Sequence, residues 1–109
     1  MVDEAKKIVD QGISYCLISL GGDGILCVSK EGIHFASAPA VEVRSTVGAG
    51  DSALAGFVKS MMAGKGVVTG LKTAVAFGTA ACMVDGTQPP HKLTVCNLIG
   101  QVHVQEFSI

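Results

Sequence analysis

The stretch Val43-Arg44-Ser45-Thr46-Val47-Gly48-Ala49-Gly50-Asp51-Ser52 constrains this chain more than any other part of it. A β-branched run leads into two glycines, an aspartate follows at once, and an apolar helix begins with Ala53, Leu54, Ala55, Phe57 and Val58. Glycines let the backbone turn tightly and bring its N–H groups close to a ligand. A helix start adds unpaired N–H donors and the positive end of the macrodipole, which suits phosphate. A carboxylate fixed beside such an anion site is placed to deprotonate a hydroxyl that attacks phosphorus. The pattern therefore points to phosphoryl transfer rather than simple binding.

Two competing readings of the glycines fail on their own terms. Gly48-x-Gly50-x-x-Ala53 fits a loose dinucleotide fingerprint, which expects an acid about 20 residues further on to hold the ribose. No acid occurs between Asp51 and Asp85. A carboxylate between the glycines and the helix would also repel a pyrophosphate there. A Walker A loop is absent as well, since Gly64-Lys65 runs into Gly66 and lacks Ser or Thr.

Periodicity gives the frame. Val2 to Gln11 reads as an amphipathic helix capped by Gly12, and Ser14 to Leu20 as a short strand. Gly21 to Gly24 forms a turn, and Ile25 to Ser29 and Ile33 to Ala38 are strands joined at Lys30-Glu31-Gly32. Pro39 to Arg44 reads as a further extended segment. Helices are expected over Asp51 to Met62, over Val67 to Val84 (ending at Asp85-Gly86) and over Lys92 to Ile99. Gln88-Pro89-Pro90 is a loop, and Val102 to Phe107 a closing strand. The order α-β-β-β-β-α-α-α suits a sheet covered by helices, so the class is α/β. A wound sheet would place a strand before the first helix, which suggests truncation.

At 109 residues the chain is one domain at most, and 49% apolar content is high for a free-standing one. A net charge of −1 and 5% aromatics supply neither a basic patch nor a stacking platform for nucleic acid. Cys16, Cys27, Cys82 and Cys96 lack metal-ligand spacing and read as reduced core residues, and Met61-Met62 as core. His34, His91 and His103 read as surface or packing residues. The charged opening Met1-Val2-Asp3-Glu4 has no apolar h-region, and the longest apolar stretch, Ala74 to Val84, is too short to span a bilayer. The cytoplasm is the expected location.

Ser45-Thr46-Val47-Gly48-Ala49-Gly50-Asp51-Ser52 resembles the second signature of the ribokinase-like (PfkB-type) carbohydrate kinases, in the Ser-first form of their sugar-phosphate branch. Upstream, Ile18-Ser19-Leu20-Gly21-Gly22-Asp23-Gly24 is similar to that family's strand–turn–strand nucleotide loop. The resemblance covers the whole chain, but only the C-terminal third of an ordinary member. It implies residues 1–109 as the C-terminal, ATP-binding part of a three-layer α/β/α sandwich, with the N-terminal sugar-binding part and lid lying elsewhere. It further implies Asp51 as general base, the amides of Gly48, Ala49, Gly50 and Asp51 as anion hole, and Ser19, Gly21, Gly22, Gly24, Ser45 and Val47 beside the nucleotide. The segment Phe77-Gly78-Thr79-Ala80-Ala81 resembles the one flanking adenine. The implied reaction moves a phosphoryl group from ATP, accompanied by Mg²⁺, to a sugar-phosphate hydroxyl. Fructose 1-phosphate is favoured as acceptor, giving fructose 1,6-bisphosphate, with tagatose 6-phosphate and fructose 6-phosphate as alternatives. A non-catalytic nucleotide-binding piece also fits, as does a partner in the form of an N-terminal half or a second copy. The family's Asn-x-x-Glu element does not occur here, so the sequence names no protein ligand for a metal.

Overall fold

The computed structural model describes residues 2–84 and 92–107. Strand β1 (Tyr15–Ser19) passes through a 3-10 turn at Gly21–Asp23 into β2 (Gly24–Ser29), and β3 (Gly32–Ser37) follows after Lys30-Glu31. With β4 (His103–Phe107) they form one sheet in the order β1-β2-β3-β4, every pair antiparallel. Successive side chains leave a strand on opposite faces, so each face collects its own apolar set. On one face Cys16, Ile18, Val28 and Ile33 meet Ala5 and Val9 of α1 (Val2–Asp10). On the other, Leu17, Ile25, Cys27 and Ala36 meet Phe57 of α2 (Ala49–Met62) and Leu71, Ala74 and Val75 of α3 (Gly66–Cys82). Helix α4 (Lys92–Ile99) extends that layer by packing Val95 and Leu98 on Ala76 and Ala80. The result is the expected α/β/α layering. Burying a side chain such as Leu71, which is 0% exposed, stabilises the fold by about 1.5–3 kcal/mol.

Helices α2 and α3 approach through glycines. A Cβ on Gly56 would come within 2.7 Å of the Phe77 ring, and one on Gly78 within 3.3 Å of the Ala49 carbonyl oxygen and the Ala53 Cβ. That closeness holds the start of α2 against the C-terminal half of α3. Tyr15 and Phe57 stack edge to face at 5.6 Å and tie β1 to α2.

Several expectations are corrected. Residues 39–44 carry no strand; the fourth strand of the sheet is His103–Phe107. Helix α2 begins at Ala49, two residues before Asp51, because Gly48 takes φ +76 and turns the chain into the helix from the left-handed region. Of the cysteines only Cys27 is buried; Cys16 and Cys82 are half-buried and Cys96 is exposed. Met61 packs against the core, whereas Met62 is 84% exposed, because α2 turns Gly56, Phe57 and Ser60 inward. The histidine reading holds for the two described: His34 packs buried in β3 opposite Glu106, with 3.7 Å between Nε2 and Oε2, and His103 lies on the surface. The expectations for Asp85-Gly86, Gln88-Pro89-Pro90 and His91 lie outside the described residues.

The core makes one prediction about alkaline pH. Burial pushes the Cys27 thiol up to about 11, with smaller contributions from Cys16 and Glu31. A folded-state value raised above the ordinary value of 9.0 gives stability that is fully present below pH 9 and is lost as pH rises toward 11. The loss attributable to Cys27 is about 2–3 kcal/mol, at roughly 1.4 kcal/mol per pH unit. Urea denaturation at pH 8 and near pH 11 should show it, and Cys27→Ala should flatten the slope while costing stability at both.

Candidate functional site

The loop into α2 is built to leave donors unpaired. Ser45 Oγ accepts the Val47 N–H at 3.1 Å, the Ala49 N–H reaches the Thr46 carbonyl at 3.3 Å, and the first helical bond runs from the Ser52 N–H to the Gly48 carbonyl at 2.9 Å. Among the described residues no acceptor takes the N–H of Gly48, Gly50 or Asp51. These are the orphan donors of a helix start, at its positive end. Upstream, the N–H groups of Arg44 and Ser45 both donate to the Cys82 carbonyl, at 2.7 and 3.3 Å, which pins the approach to the end of α3.

Beside this helix start lies a cavity of about 760 Å³. The turn between β1 and β2 supplies Ser19, Gly21, Gly22 and Gly24, and the start of α2 supplies Ala49 and Gly50. Leu17, Ile25 and Val75 form the inner wall, Ala38 to Val41 with Val43 and Thr46 another side, and Gly78, Thr79 and Cys82 of α3 the last. No charged side chain lines it among the described residues. Such a space, apolar with a few convergent polar groups, is the usual form of a small-molecule site. A smaller hollow of about 210 Å³ between Gly12–Tyr15 and Ser29–Glu31 contains none of the motif residues.

Six of the ten expected site residues therefore converge on one cavity, brought there by two separate chain segments. The other four do not line it. Ser45 is half-buried and engaged in the turn, Val47 and Gly48 are exposed, and Asp51 is exposed in the first turn of α2, next in sequence to cavity-lining Gly50. The expected set of four amides is also reduced to three, since that of Ala49 is taken by Thr46. The 39–43 side and Cys82 were missed: an apolar extended segment reads as strand, and a cysteine in an apolar helix reads as core. Their signal was position, immediately before the motif and at the end of the neighbouring helix.

The described residues contain no group of three or more His, Cys, Asp or Glu able to hold a metal. No helix among them is long and apolar enough to cross a membrane.

Known proteins are similar to this chain in sequence and in fold. The 1-phosphofructokinase of Escherichia coli (strain K12) is 30% identical over 108 residues, covering 99% of this chain and 35% of that protein. The 1-phosphofructokinase of Haloferax volcanii is 35% identical over 108 residues, again covering 99% of this chain and 35% of its relative. In three dimensions the chain is similar to phosphofructokinase-2 from Escherichia coli in complex with potassium, with a TM-score of 0.86 at 28% identity, covering 91% of this chain and 32% of that one. The chain thus spans about a third of the length of these relatives. Residues 1–93 match the model of the pfkB family carbohydrate kinases, and the chain belongs to that family.

Proposed function

We propose that this chain is the ATP-binding part of a sugar-phosphate kinase. The observation that carries the reading is the cavity in which the Ser19–Gly24 turn meets Ala49 and Gly50 at the start of α2, where the Gly50 N–H has no acceptor among the described residues. Adenosine would occupy the apolar inner part, with its phosphates running toward Gly50. The N–H groups of Gly48, Gly50 and Asp51 would hold the charge that spreads over the transferring γ-phosphoryl oxygens. Asp51 would accept the proton of the acceptor hydroxyl as its oxygen bonds to phosphorus and the bond to ADP breaks. Exposure of Asp51 suits this role, because the acceptor must approach from outside the nucleotide cavity. Mg²⁺ would be carried by ATP phosphate oxygens, the described residues offering no ligand set for it. The two relatives named 1-phosphofructokinase favour fructose 1-phosphate as acceptor, and fructose 1,6-bisphosphate as product.

The acceptor needs polypeptide beyond this chain. Among the described residues no charged group lines the cavity to hold a sugar phosphate. Leu54, Val58 and Met62 form an exposed apolar stripe on α2, at 55, 45 and 84%, and β1 is an open sheet edge. That chemistry suits covering by a further part carrying the sugar site. The same observations favour a second reading, a nucleotide binder without turnover. Calorimetry with ATP and a phosphotransfer assay, on the chain alone and mixed with the N-terminal sugar-binding part of a relative, decide between them. The expected result is ATP binding by the chain alone and turnover only in the mixture. Binding without turnover in either sample would favour the non-catalytic reading, and no ATP binding would overturn both.

A further inference from the structure

The C-terminal half of α3 braces the glycine motif from two directions. Upstream of the motif, the Cys82 carbonyl accepts the N–H groups of Arg44 and Ser45, at 2.7 and 3.3 Å. Downstream, Gly78 lies against the first turns of α2. A Cβ on Gly78 would stand 3.3 Å from the Ala49 carbonyl oxygen, 3.3 Å from the Ala53 Cβ and 4.0 Å from the Ala53 Cα. All three atoms belong to α2, so the neighbouring helix occupies the direction a side chain would take. A methyl group there would have to displace that helix by a few tenths of an ångström.

Gly78 also lines the cavity, as do Ala49, Gly50 and Ala53 across from it. It therefore sits in the wall a nucleoside would lie on, and it touches the helix start where the N–H groups of Gly48, Gly50 and Asp51 find no acceptor among the described residues. Gly70 provides a contrast about two turns earlier on α3. A Cβ on it would meet the Met61 sulfur at 3.1 Å and the Phe57 ring at 3.3 Å, and Gly70 does not line the cavity. The two glycines belong to one helix seam, but only Gly78 joins that seam to the site.

We propose that Gly78 is a positioning residue: with hydrogen in place of a side chain, it sets the distance between the nucleoside wall and the unpaired amides of α2. This role rests on the nucleotide reading above and adds to it the residue that fixes the spacing. A nucleoside triphosphate carries its base and its phosphates on one tether, so it gains from both halves of the site only when their separation matches. Shifting the start of α2 leaves each half intact but spoils the distance and angle of the N–H···O bonds to phosphate, which weaken steeply away from their optimum.

Calorimetry on the chain itself, with ATP and with adenosine, reads this as the ratio of the two affinities. A general loss of folded protein lowers both and leaves the ratio unchanged. The parent should bind ATP on the order of a hundredfold more tightly than adenosine. In Gly78→Ala the preference for ATP should fall on the order of tenfold, with adenosine affinity within about twofold of the parent. Gly70→Ala should lower stability and keep the parental ratio. Gly78→Ala/Ala53→Gly removes one close contact and keeps the one to the Ala49 carbonyl, so its preference should lie about threefold below the parent. That double variant takes the place of Gly78→Ala if the single variant does not fold. A parental ratio in the variant so measured, or an equal loss in Gly70→Ala, overturns the positioning role and leaves the nucleotide reading standing. If the parent itself binds no ATP, or binds it no better than adenosine, the phosphate site and the role of Gly78 fall together.

Discussion

Asp51→Asn should reduce phosphoryl transfer by about 10²–10⁴-fold, measured with the sugar-binding part present, while ATP affinity stays within about twofold of the parent. The contrast separates the two roles a carboxylate can play at this place. As a first-turn aspartate, Asp51 stabilises the start of α2 through the helix dipole by about 0.3–1 kcal/mol, and its amide replacement would lower the melting temperature slightly while leaving turnover intact. As the base, it removes a proton from the acceptor, and asparagine, nearly the same shape, cannot. The acid is exposed and next in sequence to a cavity-lining glycine, so losing its charge should leave the nucleotide wall untouched. Turnover by the variant at the parental rate would remove Asp51 from the mechanism.

Gly24→Ala should be the most damaging single methyl group among the described residues, costing about 3–5 kcal/mol and abolishing ATP binding with it. Gly24 sits at φ +132 and ψ −153, a region open essentially to glycine alone. A Cβ there would run into the carbonyl oxygen of Ala36 and lie 3.1 Å from the Ser37 Cα, all backbone of the paired strand β3. Neither can yield without breaking the β2–β3 register. The carbonyl of Gly24 also accepts the Leu20 N–H at 2.9 Å, closing the turn that presents Gly21 and Gly22 to the cavity. Gly22→Ala is the control, since a Cβ there meets nothing within 4 Å and the backbone angle is ordinary. It should denature in urea within about 0.5 kcal/mol of the parent. A Gly24 variant of parental stability would contradict the packing described for the turn.

Much of this was legible from residues alone, and the illegible parts have identifiable causes. The helices, the first three strands and the closing strand follow from periodicity and glycine punctuation, because those signals are local. Residues 39–44 were misread because Val41 and Val43 alternate with Ala40, Glu42 and Arg44 as in a strand. The Arg44 N–H is instead taken by the end of α3, a contact no local pattern encodes. The fourth strand is closed by residues about 70 positions later than its partner, Ser37↔His103 and onward, and that pairing is a tertiary fact. The core reading of Cys96 fails because Val95 and Leu98 are the inward residues of α4 and Cys96 stands off that stripe. Of the cavity lining, Gly21, Gly22, Gly24 and Gly50 were readable because glycines in that order have few other uses. The walls made by Leu17, Ile25 and Val75 were not, because an apolar cavity lining and an apolar core have the same composition.

The most direct measurement of the central claim is a crystal structure of this chain mixed with the N-terminal sugar-binding part of a relative, with a non-hydrolysable ATP analogue and fructose 1-phosphate. Adenosine is expected between the Ser19–Gly24 turn and α3, the terminal phosphate on the Gly48, Gly50 and Asp51 amides, and an Asp51 oxygen at about 2.6–3.2 Å from the acceptor hydroxyl. A nucleotide bound outside this cavity, or an acceptor hydroxyl facing some other base, would contradict it.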